Sequence, residues 1–390
     1  MTSVTESKPI RVLHLLRALE AGGAETLLMN VFRRIDRSRI CFDVAVMTDK
    51  HAHYDDEFRH LGGRIFRLPE GSGRGIYKYL FSLWKLLGSE GPFAAVHSHV
   101  HHFSGVSLLI ARLASVPIRV AHSHNTGDGK ATTWKRVCYR RSMRLAILSL
   151  ATHMVGCSRA ACESLFGQSH YSRKRTRVLP NAIDLEAFRS RQIPKPAART
   201  RLGLPGSGLI VGHVGRFDRQ KNHAGLIRIV AELLSAEPSS QLLLVGDGPL
   251  RKTIEEQCRL WKLSSRVHFL GVRTDVAEIL SALDCFVFPS LYEGLGLALI
   301  EAQAVGLPCV VSDTVPREAD VGLGLIRRVG LQENGQTWAG CILEASAQDR
   351  PDFFQRKLAF ESAGYDIGSS FGEWEQLYRR EARIEPCWKR

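Results

Sequence analysis

The chain has 390 residues, of which 44% are hydrophobic and 8% aromatic, enough for two globular domains of ordinary size. No apolar run is long enough to span a bilayer, the N-terminus lacks a secretory pattern, and the nine Cys form no C-x-x-C pair, so we expect a cytoplasmic protein. The formal net charge of +14 favours an anionic partner, and nucleic acid, an anionic membrane and a nucleotide sugar all meet that condition.

The first half of the chain alternates predicted strands and helices, as in a Rossmann-like domain. A strand at residues 10–15 leads into a turn that contains Gly22 and Gly23, and an amphipathic helix follows as far as residue 35. The turn differs from the G-x-G-x-x-G of dinucleotide-binding proteins, and a tight strand-to-helix turn explains its glycines almost as well as a ligand does. Further elements are predicted as strands at 42–48 and 64–68 and as a helix at 75–87 with aromatic residues divided between core and surface.

Histidines cluster after the next predicted strand, residues 94–97. Four of the six residues from position 97 to 102 are His, a density that suggests a metal site. No Asp, Glu or Cys stands beside them, so we predict no metal and prefer a strand end that faces a cleft, with His99 or His102 near a substrate. The following strand, residues 118–122, leads in the same way into His124 and Asn125.

A predicted helix at residues 132–154 is strongly basic. Its first half carries five positive charges and no acidic residue: Lys135, Arg136, Arg140, Arg141 and Arg144. Trp134 and several Leu and Ile residues add apolar area, and such a segment is typical of contact with an anionic membrane surface. An ordinary helix with a solvated basic face explains the pattern equally well.

The second domain is predicted to begin after a segment rich in Pro, Arg and Ala, residues 189–205, which we assign as the linker. A strand at 209–214 ends in a turn that contains Arg216 and Lys221, and both cations can reach one diphosphate from there. Two unrelated surface cations are the alternative. A later strand, residues 267–270, is followed by Val272.

The most informative stretch is FPSLYEGLGLALIEAQAVGLPCVVSD, residues 288–313. It predicts a strand end, a Gly-rich turn, a helix over residues 297–305 and a second buried strand. Gly294 and Gly296 would let the backbone approach a ligand, and the helix start offers free N–H groups to phosphate. Glu301 falls among Ala and Leu in the helix, where its carboxylate needs a partner, either sugar hydroxyls or a basic neighbour.

Two motifs, E-G-L-G-L-x-x-x-E-A-Q-A-x-G-L-P and G-R-x-x-x-x-K-N, resemble the signatures of the retaining glycosyltransferases of family 4, which have the GT-B fold. The resemblance implies that Glu293 contacts the donor sugar and that Glu301 holds the ribose. It also implies that Arg216 and Lys221 bind the phosphates. The backbone amides expected to hold the diphosphate are those of Gly294, Leu295 and Gly296.

Other parts of the chain match the family at single positions. His124 corresponds to a His whose ring contacts the donor sugar at the reacting centre, with His122 as the fallback. Gly22 and Gly23 match a G-G-x-E turn that faces the cleft, and Val272 lies where family members read the base through backbone groups. The wording G-G-A-E, A-H-S-H-N-T and S-L-Y-E-G-L-G-L is most similar to bacterial enzymes of exopolysaccharide and capsule assembly.

The predicted fold class is therefore α/β of the GT-B type, with two Rossmann-like domains that face each other across a cleft. We expect an acceptor domain at residues 1–188, a linker at 189–205 and a donor domain at 206–368, with residues 369–390 packed back on the first domain. The residues predicted to act in catalysis are His124, Glu293, Arg216 and Lys221. The residues predicted on the acceptor side are His99, His102 and Asn125.

The predicted activity is transfer of a sugar, with retention, from a nucleotide-diphosphate sugar, expected to be a UDP-sugar, to a lipid-linked or saccharide acceptor in cell-surface polysaccharide synthesis. We expect no metal and no cofactor, because Arg216 and Lys221 replace a cation and no supported D-x-D motif is present. The expected location is the inner face of the cytoplasmic membrane, on an anionic surface, with no nucleic-acid partner. A GT-B-shaped sugar-nucleotide epimerase and a basic binding protein without enzymatic activity are the alternatives.

Overall fold

The computed structural model describes residues 9–71, 75–127, 132–172 and 176–379. The strands are β1 (Ile10–Leu16), β2 (Ile40–Val46), β3 (Ile65–Arg67), β4 (Ala95–Ser98), β5 (Ile118–Ser123), β6 (His153–Gly156), β7 (Arg177–Val178), β8 (Ile210–Val214), β9 (Gln241–Val245), β10 (Val267–Gly271), β11 (Cys285–Phe288), β12 (Cys309–Ser312) and β13 (Ile326–Val329). The helices are α1 (Gly23–Arg34), α2 (Asp55–His60), α3 (Gly75–Ser89), α4 (Ser104–Leu113), α5 (Trp134–Leu150), α6 (Arg159–Phe166), α7 (Gln168–Ser172), α8 (Leu185–Arg189), α9 (Lys195–Arg201), α10 (His223–Ala236), α11 (Arg251–Leu260), α12 (Val276–Ala282), α13 (Leu297–Ala304), α14 (Gly335–Ser346), α15 (Phe353–Ala363) and α16 (Ile367–Tyr378).

The first domain is a parallel sheet of seven strands in the order β3-β2-β1-β4-β5-β6-β7. Every residue of β2 is buried, as expected of a strand covered by helices on both faces. One face packs against α1, α2 and α16 through a core that includes Phe32 and Trp374. The other face packs against α3, α4, α5 and α6 through residues such as Tyr79 and Ile147.

The second domain is a parallel sheet of six strands in the order β10-β9-β8-β11-β12-β13. Strands β9, β11 and β12 are buried along their whole length. In each sheet the strand order reverses once, between β1 and β4 in the first and between β8 and β11 in the second. Ligands of doubly wound sheets bind in the crevice outside the strand carboxyl ends at that reversal. The predicted α/β fold with two doubly wound domains is therefore confirmed.

The chain passes between the two domains twice, and the two passages lie side by side. The amide of Ile183 donates to the carbonyl of Tyr365 (2.9 Å), and the amide of Ile367 donates to the carbonyl of Ile183 (2.8 Å). Helix α16 then returns to the first domain, where Trp374 and Tyr378 are buried in its core. Residues 380–390 of the expected returning segment lie outside the described residues.

The segment assigned as a linker, residues 189–205, is instead built into the second domain. Its helix α9 packs against α12, and Ala198 and Leu204 are buried in the core of the second domain. Arg199 is 5% exposed, and its guanidinium donates to Asp284 (2.6 Å) and to the carbonyl of Ala282 (3.1 Å). The composition of the segment did not predict this packing, because many of its contacts are made by a buried arginine rather than by large apolar residues.

The basic helix is shorter than predicted. It ends at Leu150 rather than at residue 154, because the chain turns into β6, in which His153 and Met154 pair with Val120 and Ala121. Sheet pairing outweighs the helical pattern at this point. Within the described residues, no helix combines the length and the apolarity needed to cross a bilayer.

Candidate active site

The site is built from two turns that follow β8 and β11, the strands on either side of the reversal in the second sheet. Lys221 of the first turn places its Nζ 2.7 Å from Oε1 of Glu293 in the second turn. Gln220 donates from Nε2 to the other oxygen of Glu293 at 3.0 Å. Because Glu293 is only 4% exposed, its charge needs this ion pair and hydrogen bond.

Asn222 fixes the first turn against the second. Its backbone is left-handed, with φ of 54°, and its side-chain oxygen accepts from the amide of Gly225 and caps α10. Its side-chain nitrogen donates to the carbonyl of Pro289 (3.1 Å), while the amide of Leu291 donates to the carbonyl of Gln220 (2.8 Å). Asn222 therefore positions Lys221 and also holds the turn after β8 against the turn after β11.

The start of α13 is open to a ligand. Gly296 adopts φ of +93°, a conformation that side chains disfavour, and no side chain caps the helix. The first amides and the positive end of the helix dipole are thus available to an anion. Leu295 is 1% exposed, so only its backbone can contact a ligand.

Glu301, one turn into α13, is half-buried and has no ion-pair partner among the described residues. Burial raises the pKa of its carboxyl to about 7. Within the described part of the chain, the partner of the Glu301 carboxylate is therefore not a basic neighbour. The unpaired carboxylate is suited to accept hydrogen bonds from hydroxyl groups.

The two domains touch directly at the Glu293–Gly294 turn. A Cβ added to Gly294 would lie 1.9 Å from the carbonyl oxygen of His124, so only glycine fits. The Ser158 hydroxyl donates to the carbonyl of Gly294 (2.5 Å), and the Thr126 hydroxyl donates to the carbonyl of Glu293 (3.1 Å). We expected Gly294 to make room for a ligand, but the nearest group is the backbone of the first domain.

Histidines from three adjacent strands of the first domain meet beside this contact. His99 Nδ1 lies 2.8 Å from His124 Nε2, and His97 Nε2 lies 3.1 Å from His122 Nδ1. His14 at the end of β1 completes the group, with Nδ1 3.0 Å from His99 Nε2. Burial lowers the pKa of His14 and of His124 to about 3, so both are neutral at pH 7.

Two sets of three imidazoles lie close enough to share a metal ion, with ligand atoms within 4.8 Å of one another. The sets are His14, His97 and His99, and His99, His122 and His124. In the present arrangement the ring nitrogens of His99 point at those of His14 and His124 at hydrogen-bond distance. The rings would have to turn to aim three lone pairs at one ion, so the absence of a resident metal stays a prediction.

The other predicted positions are more scattered. His102 is buried in a 3-10 turn, His101–Phe103, and bonds the ring of His101. Asn125 has its Cα 3.0 Å from the position that a Cβ on Gly294 would take. Val272 is 48% exposed at the end of β10. It lines an open cavity of about 500 Å³ together with Arg201, Leu202, Arg273, Thr274, Asp275 and Glu278.

The Gly22–Gly23 turn faces the start of α13 from the first domain. Gly23 has its Cβ position 3.9 Å from Leu297 Cβ, whereas a Cβ on Gly22 would lie 2.4 Å from Oε2 of Glu25. Burial raises the pKa of Glu25 to about 7, and the exposed Arg216 across the cleft opposes this rise. Gly22 therefore leaves room for the carboxylate of Glu25.

Sequence reasoning missed Gln220, Glu25, His14 and Ser158. Glu25 is the last residue of the G-G-x-E turn and Gln220 lies within the G-R-x-x-x-x-K-N motif, so their positions in these patterns were the available signal. His14 and Ser158 lie outside any motif, and only the packing of β1 and β6 brings them to the site.

Comparison with known proteins identifies the family. The model of the glycosyl transferase 4-like domain matches residues 22–182, and that of glycosyl transferases group 1 matches residues 194–321. EpsF of Bacillus subtilis, named as a glycosyltransferase, is 40% identical over 370 residues, which cover 94% of this chain and 96% of EpsF. A UDP-Gal:alpha-D-GlcNAc-diphosphoundecaprenol alpha-1,3-galactosyltransferase of Escherichia coli is 32% identical over 79% of this chain and 80% of its own length.

Solved structures agree in fold. HepE of Anabaena, in complex with UDP and glucose, superposes with a TM-score of 0.75 at 18% identity, over 94% of this chain and 98% of HepE. WaaG, a glycosyltransferase of lipopolysaccharide biosynthesis, gives a TM-score of 0.70 at 18% identity, over 95% of this chain and 98% of WaaG. The two facing parallel sheets and the matched motifs show that the chain belongs to the glycosyl transferases group 1 and is a glycosyltransferase with the GT-B fold.

Proposed function

We propose that the protein transfers a sugar from a UDP-sugar to a lipid-linked saccharide, with retention at the anomeric carbon, during assembly of a cell-surface polysaccharide. The observation that carries the proposal is the joining of Lys221, Gln220 and Glu293 at the start of α13. A carboxylate, a cation and an open helix start converge there, and these are groups that a sugar diphosphate requires.

The donor diphosphate would lie between Lys221, Arg216 and the first amides of α13. An ammonium group has three donors, so Lys221 can retain its bond to Glu293 and still reach a phosphate oxygen. These charges would stabilise the leaving UDP in place of a divalent cation. Glu301 would accept the ribose hydroxyls, and Glu293 would face the sugar.

The names of similar proteins support the choice of substrates. HepE was solved with UDP and with UDP-glucose, and the Escherichia coli relative acts on a diphosphoundecaprenol-linked sugar. A relative from Staphylococcus aureus, 24% identical, is a capsular polysaccharide biosynthesis glycosyltransferase. Under the proposal this chain uses a UDP-sugar, as HepE binds, and a lipid-linked acceptor, as the Escherichia coli relative does.

One surface of the first domain fits a membrane that carries such an acceptor. Helices α3, α4 and α5 lie side by side on one face of the sheet and contain no Asp or Glu. Their exposed apolar residues, which we call the α3–α5 face, are Tyr77, Phe81, Trp84, Leu109, Leu113, Trp134 and Leu145. Exposed cations beside them are Lys78, Lys85, Arg112, Lys135 and Arg141. Aromatic and basic groups together favour an anionic bilayer surface.

A transfer assay tests the proposal. The purified protein is incubated with a panel of nucleotide sugars and with a polyprenyl-diphosphate-linked monosaccharide, and the product is analysed by mass spectrometry and NMR. We expect one UDP-sugar to be used, the anomeric configuration to be kept, and activity to survive EDTA. Lys221→Ala should abolish turnover without loss of fold.

Three results would contradict the proposal. One is conversion of a nucleotide sugar to its epimer without an acceptor, a second is an inverted product, and a third is activity that EDTA removes and Mg²⁺ or Mn²⁺ restores.

A further inference from the structure

Five histidines of the first domain, three of them buried and two half-buried, form two hydrogen-bonded ribbons. The first ribbon runs from His14 through His99 to His124, with N···N distances of 3.0 and 2.8 Å. The second runs from Tyr378 of α16 through His97 to His122, with distances of 2.7 and 3.1 Å. Among these rings, His124 is expected to contact the donor sugar and His99 is expected on the acceptor side, whereas His14 and His97 have no assigned role.

Within the first ribbon the rings lie edge to edge. The ring centroids of His14 and His99 are 5.3 Å apart with planes 17° apart, and those of His99 and His124 are 5.0 Å apart with planes 28° apart. Such separations with nearly parallel planes mean that each nitrogen points at the next ring in its own plane. This is the geometry of N–H···N hydrogen bonds.

The second ribbon packs against the first and restricts the rotation of its rings. His97 stacks on His99 with centroids 4.3 Å apart, and His122 packs against His124 with centroids 4.0 Å apart and planes 31° apart. A ring rotation in either ribbon would break a hydrogen bond and collide with the stacked neighbour. The orientation of His124 is therefore determined by its neighbours rather than by solvent.

A ribbon of neutral imidazoles has only two proton arrangements. Each neutral ring carries one N–H and one lone pair, so the choice at one ring dictates the choice at the next. Either every ring carries its proton on Nδ1, and His124 presents an N–H at its far nitrogen, or every ring carries it on Nε2, and His124 presents a lone pair there.

The ends of the ribbon favour the first arrangement. His14 Nε2 and His124 Nδ1 both lack a hydrogen-bond partner among the described residues. His14 is fully buried in the core, whereas His124 is half-buried beside the contact between the domains, where a bound ligand can supply an acceptor. His14 packs against the ring of Phe42, with centroids 4.3 Å apart, and a buried N–H without a partner costs more than an unused lone pair. The lone pair therefore belongs on His14 Nε2, which places the proton on Nδ1 of His124.

We propose that His99 and His14 are positioning residues that hold His124 with its proton on Nδ1, so that His124 acts in the cleft as a hydrogen-bond donor. The expected partner is a hydroxyl oxygen of the donor sugar, and this part rests on the proposed function. In water a neutral imidazole prefers the proton on Nε2, so the ribbon selects the less common tautomer.

Long-range ¹H–¹⁵N correlation spectra of the full-length protein labelled at histidine test the proposal directly, because they distinguish the two nitrogens of each ring. The signals of His124 are identified by their loss in His124→Phe. We expect the wild type to show a protonated Nδ1 at His124. In His99→Phe, which removes the donor to His124 Nε2, we expect the proton to move to Nε2.

His99→Asn is the matched variant, because its side-chain N–H₂ replaces the N–H of His99 Nδ1. It should keep the proton of His124 on Nδ1 and restore most of the transfer activity that His99→Phe lowers by about tenfold. Circular dichroism and thermal unfolding show whether each variant is folded. If His99→Phe does not fold, His14→Phe against His14→Asn gives the same comparison one ring further away.

Three observations would overturn the proposal: a protonated Nε2 at His124 in the wild type, an unchanged tautomer in folded His99→Phe, or a cobalt–imidazole absorption band on addition of Co²⁺ that His99→Phe removes. The last result would mean that the rings turn to bind a metal. The spectra do not depend on turnover, so a tautomer change without any change in transfer would contradict only the expected contact of His124 with the donor sugar.

Discussion

Glu293 illustrates how single residues prepare the site. Its carboxylate is almost fully buried, and both oxygens are engaged, one by the ammonium of Lys221 and one by the amide of Gln220. A carboxylate held at both oxygens cannot rotate, so Glu293 keeps one orientation toward the cleft. The two groups that stabilise this buried charge belong to the turn after the neighbouring strand β8.

We expect Gln220→Leu to lower kcat/KM by roughly ten- to a hundredfold, because a hydrogen bond to a charged group contributes about 1.5–3 kcal/mol. Steady-state kinetics with the UDP-sugar measure the effect. Arg219→Leu, a change at the exposed neighbour in the same turn, serves as control and should leave both constants within about twofold. Equal activity of the two variants would show that Gln220 does not position Glu293.

Glu301 should make donor binding depend on pH. Its free carboxyl has a pKa of about 7, and ribose hydroxyls that donate to the carboxylate stabilise the charged form and lower that pKa. Binding then releases a proton below pH 7. The affinity for the UDP-sugar should rise as pH increases toward 7 and level off above it, by at most about tenfold per pH unit.

Isothermal titration calorimetry in buffers of different ionisation enthalpy measures the proton release. UDP-glucose is the better probe, because its diphosphate has no group that titrates in this range, whereas UDP has one. Glu301→Gln should bind more weakly and without the pH dependence. Glu25→Gln is needed as a control, since the pKa of Glu25 is also about 7. Proton uptake on binding would contradict the assignment.

At the scale of elements, three helices combine to form a surface that none of them forms alone. Helix α5 was the predicted membrane helix, yet Arg144 donates to the carbonyls of Leu165 (3.0 Å) and Ser164 (2.6 Å) and so holds α6 in place. Three of the four exposed aromatic groups of the α3–α5 face lie on α3, where Tyr77 is 77% exposed and Phe81 63% exposed, and the fourth is Trp134 of α5. The aromatic residues of the α3–α5 face therefore come mainly from one helix, whereas the cations beside it come from all three.

We expect the protein to bind anionic vesicles through the α3–α5 face, and to bind less as salt increases, because salt screens such contacts. Each cation near the surface contributes about 1 kcal/mol, so Lys135→Glu with Arg141→Glu should weaken binding by more than about tenfold. Phe81→Ser with Trp84→Ser should also weaken it, through lost apolar contact. Co-sedimentation with vesicles measures each variant.

The matched control for the aromatic pair is Phe354→Ser with Leu358→Ser, which removes two exposed apolar residues from α15 of the second domain. This variant should bind vesicles like the wild type, and all variants should keep their affinity for the UDP-sugar. Binding that does not distinguish neutral from anionic vesicles, or that the control weakens equally, would contradict a role for the α3–α5 face.

At the scale of the whole molecule, the two domains meet at the Glu293–Gly294 turn of the candidate site. Ser158 and Thr126 of the first domain bond the carbonyls of Gly294 and Glu293, and the His124 carbonyl lies against Gly294. We therefore expect closure of the cleft to bring the Glu293–Gly294 turn against the backbone of His124. A change that separates the domains should remove activity while each domain stays folded.

Gly294→Ala should open the cleft, because its Cβ would lie 1.9 Å from the His124 carbonyl oxygen and that backbone cannot yield locally. We expect a larger radius of gyration by small-angle scattering and a loss of transfer of at least about a hundredfold, since the reacting groups are displaced. Gly340→Ala in α14 is the control, because nothing lies within 4 Å of its Cβ and Ala favours a helix. A compact, active Gly294→Ala protein would refute the coupling.

The sequence by itself determined the fold class and the family, and it contains the two motifs that the structure brings together at Glu293. Parallel strands covered on both faces appear as continuous apolar runs, and the motifs around Lys221 and Glu293 are local, so that spacing along the chain is enough to read them. The element limits that were wrong, at the end of α5 and in the segment 189–205, are those where contacts distant in sequence outweigh local composition.

Only the tertiary structure explains why the five histidines and Gly294 occupy their positions in the cleft. The sequence contains five histidines at the ends of β1, β4 and β5, but it does not show that these rings hydrogen bond and stack, because strand order and register determine their separations. The sequence suggests that Gly294 makes room for a ligand. In the structure a side chain is excluded there by the backbone of His124, which lies 170 positions away in the other domain. Such relations arise from the packing of distant segments, and no local pattern records them.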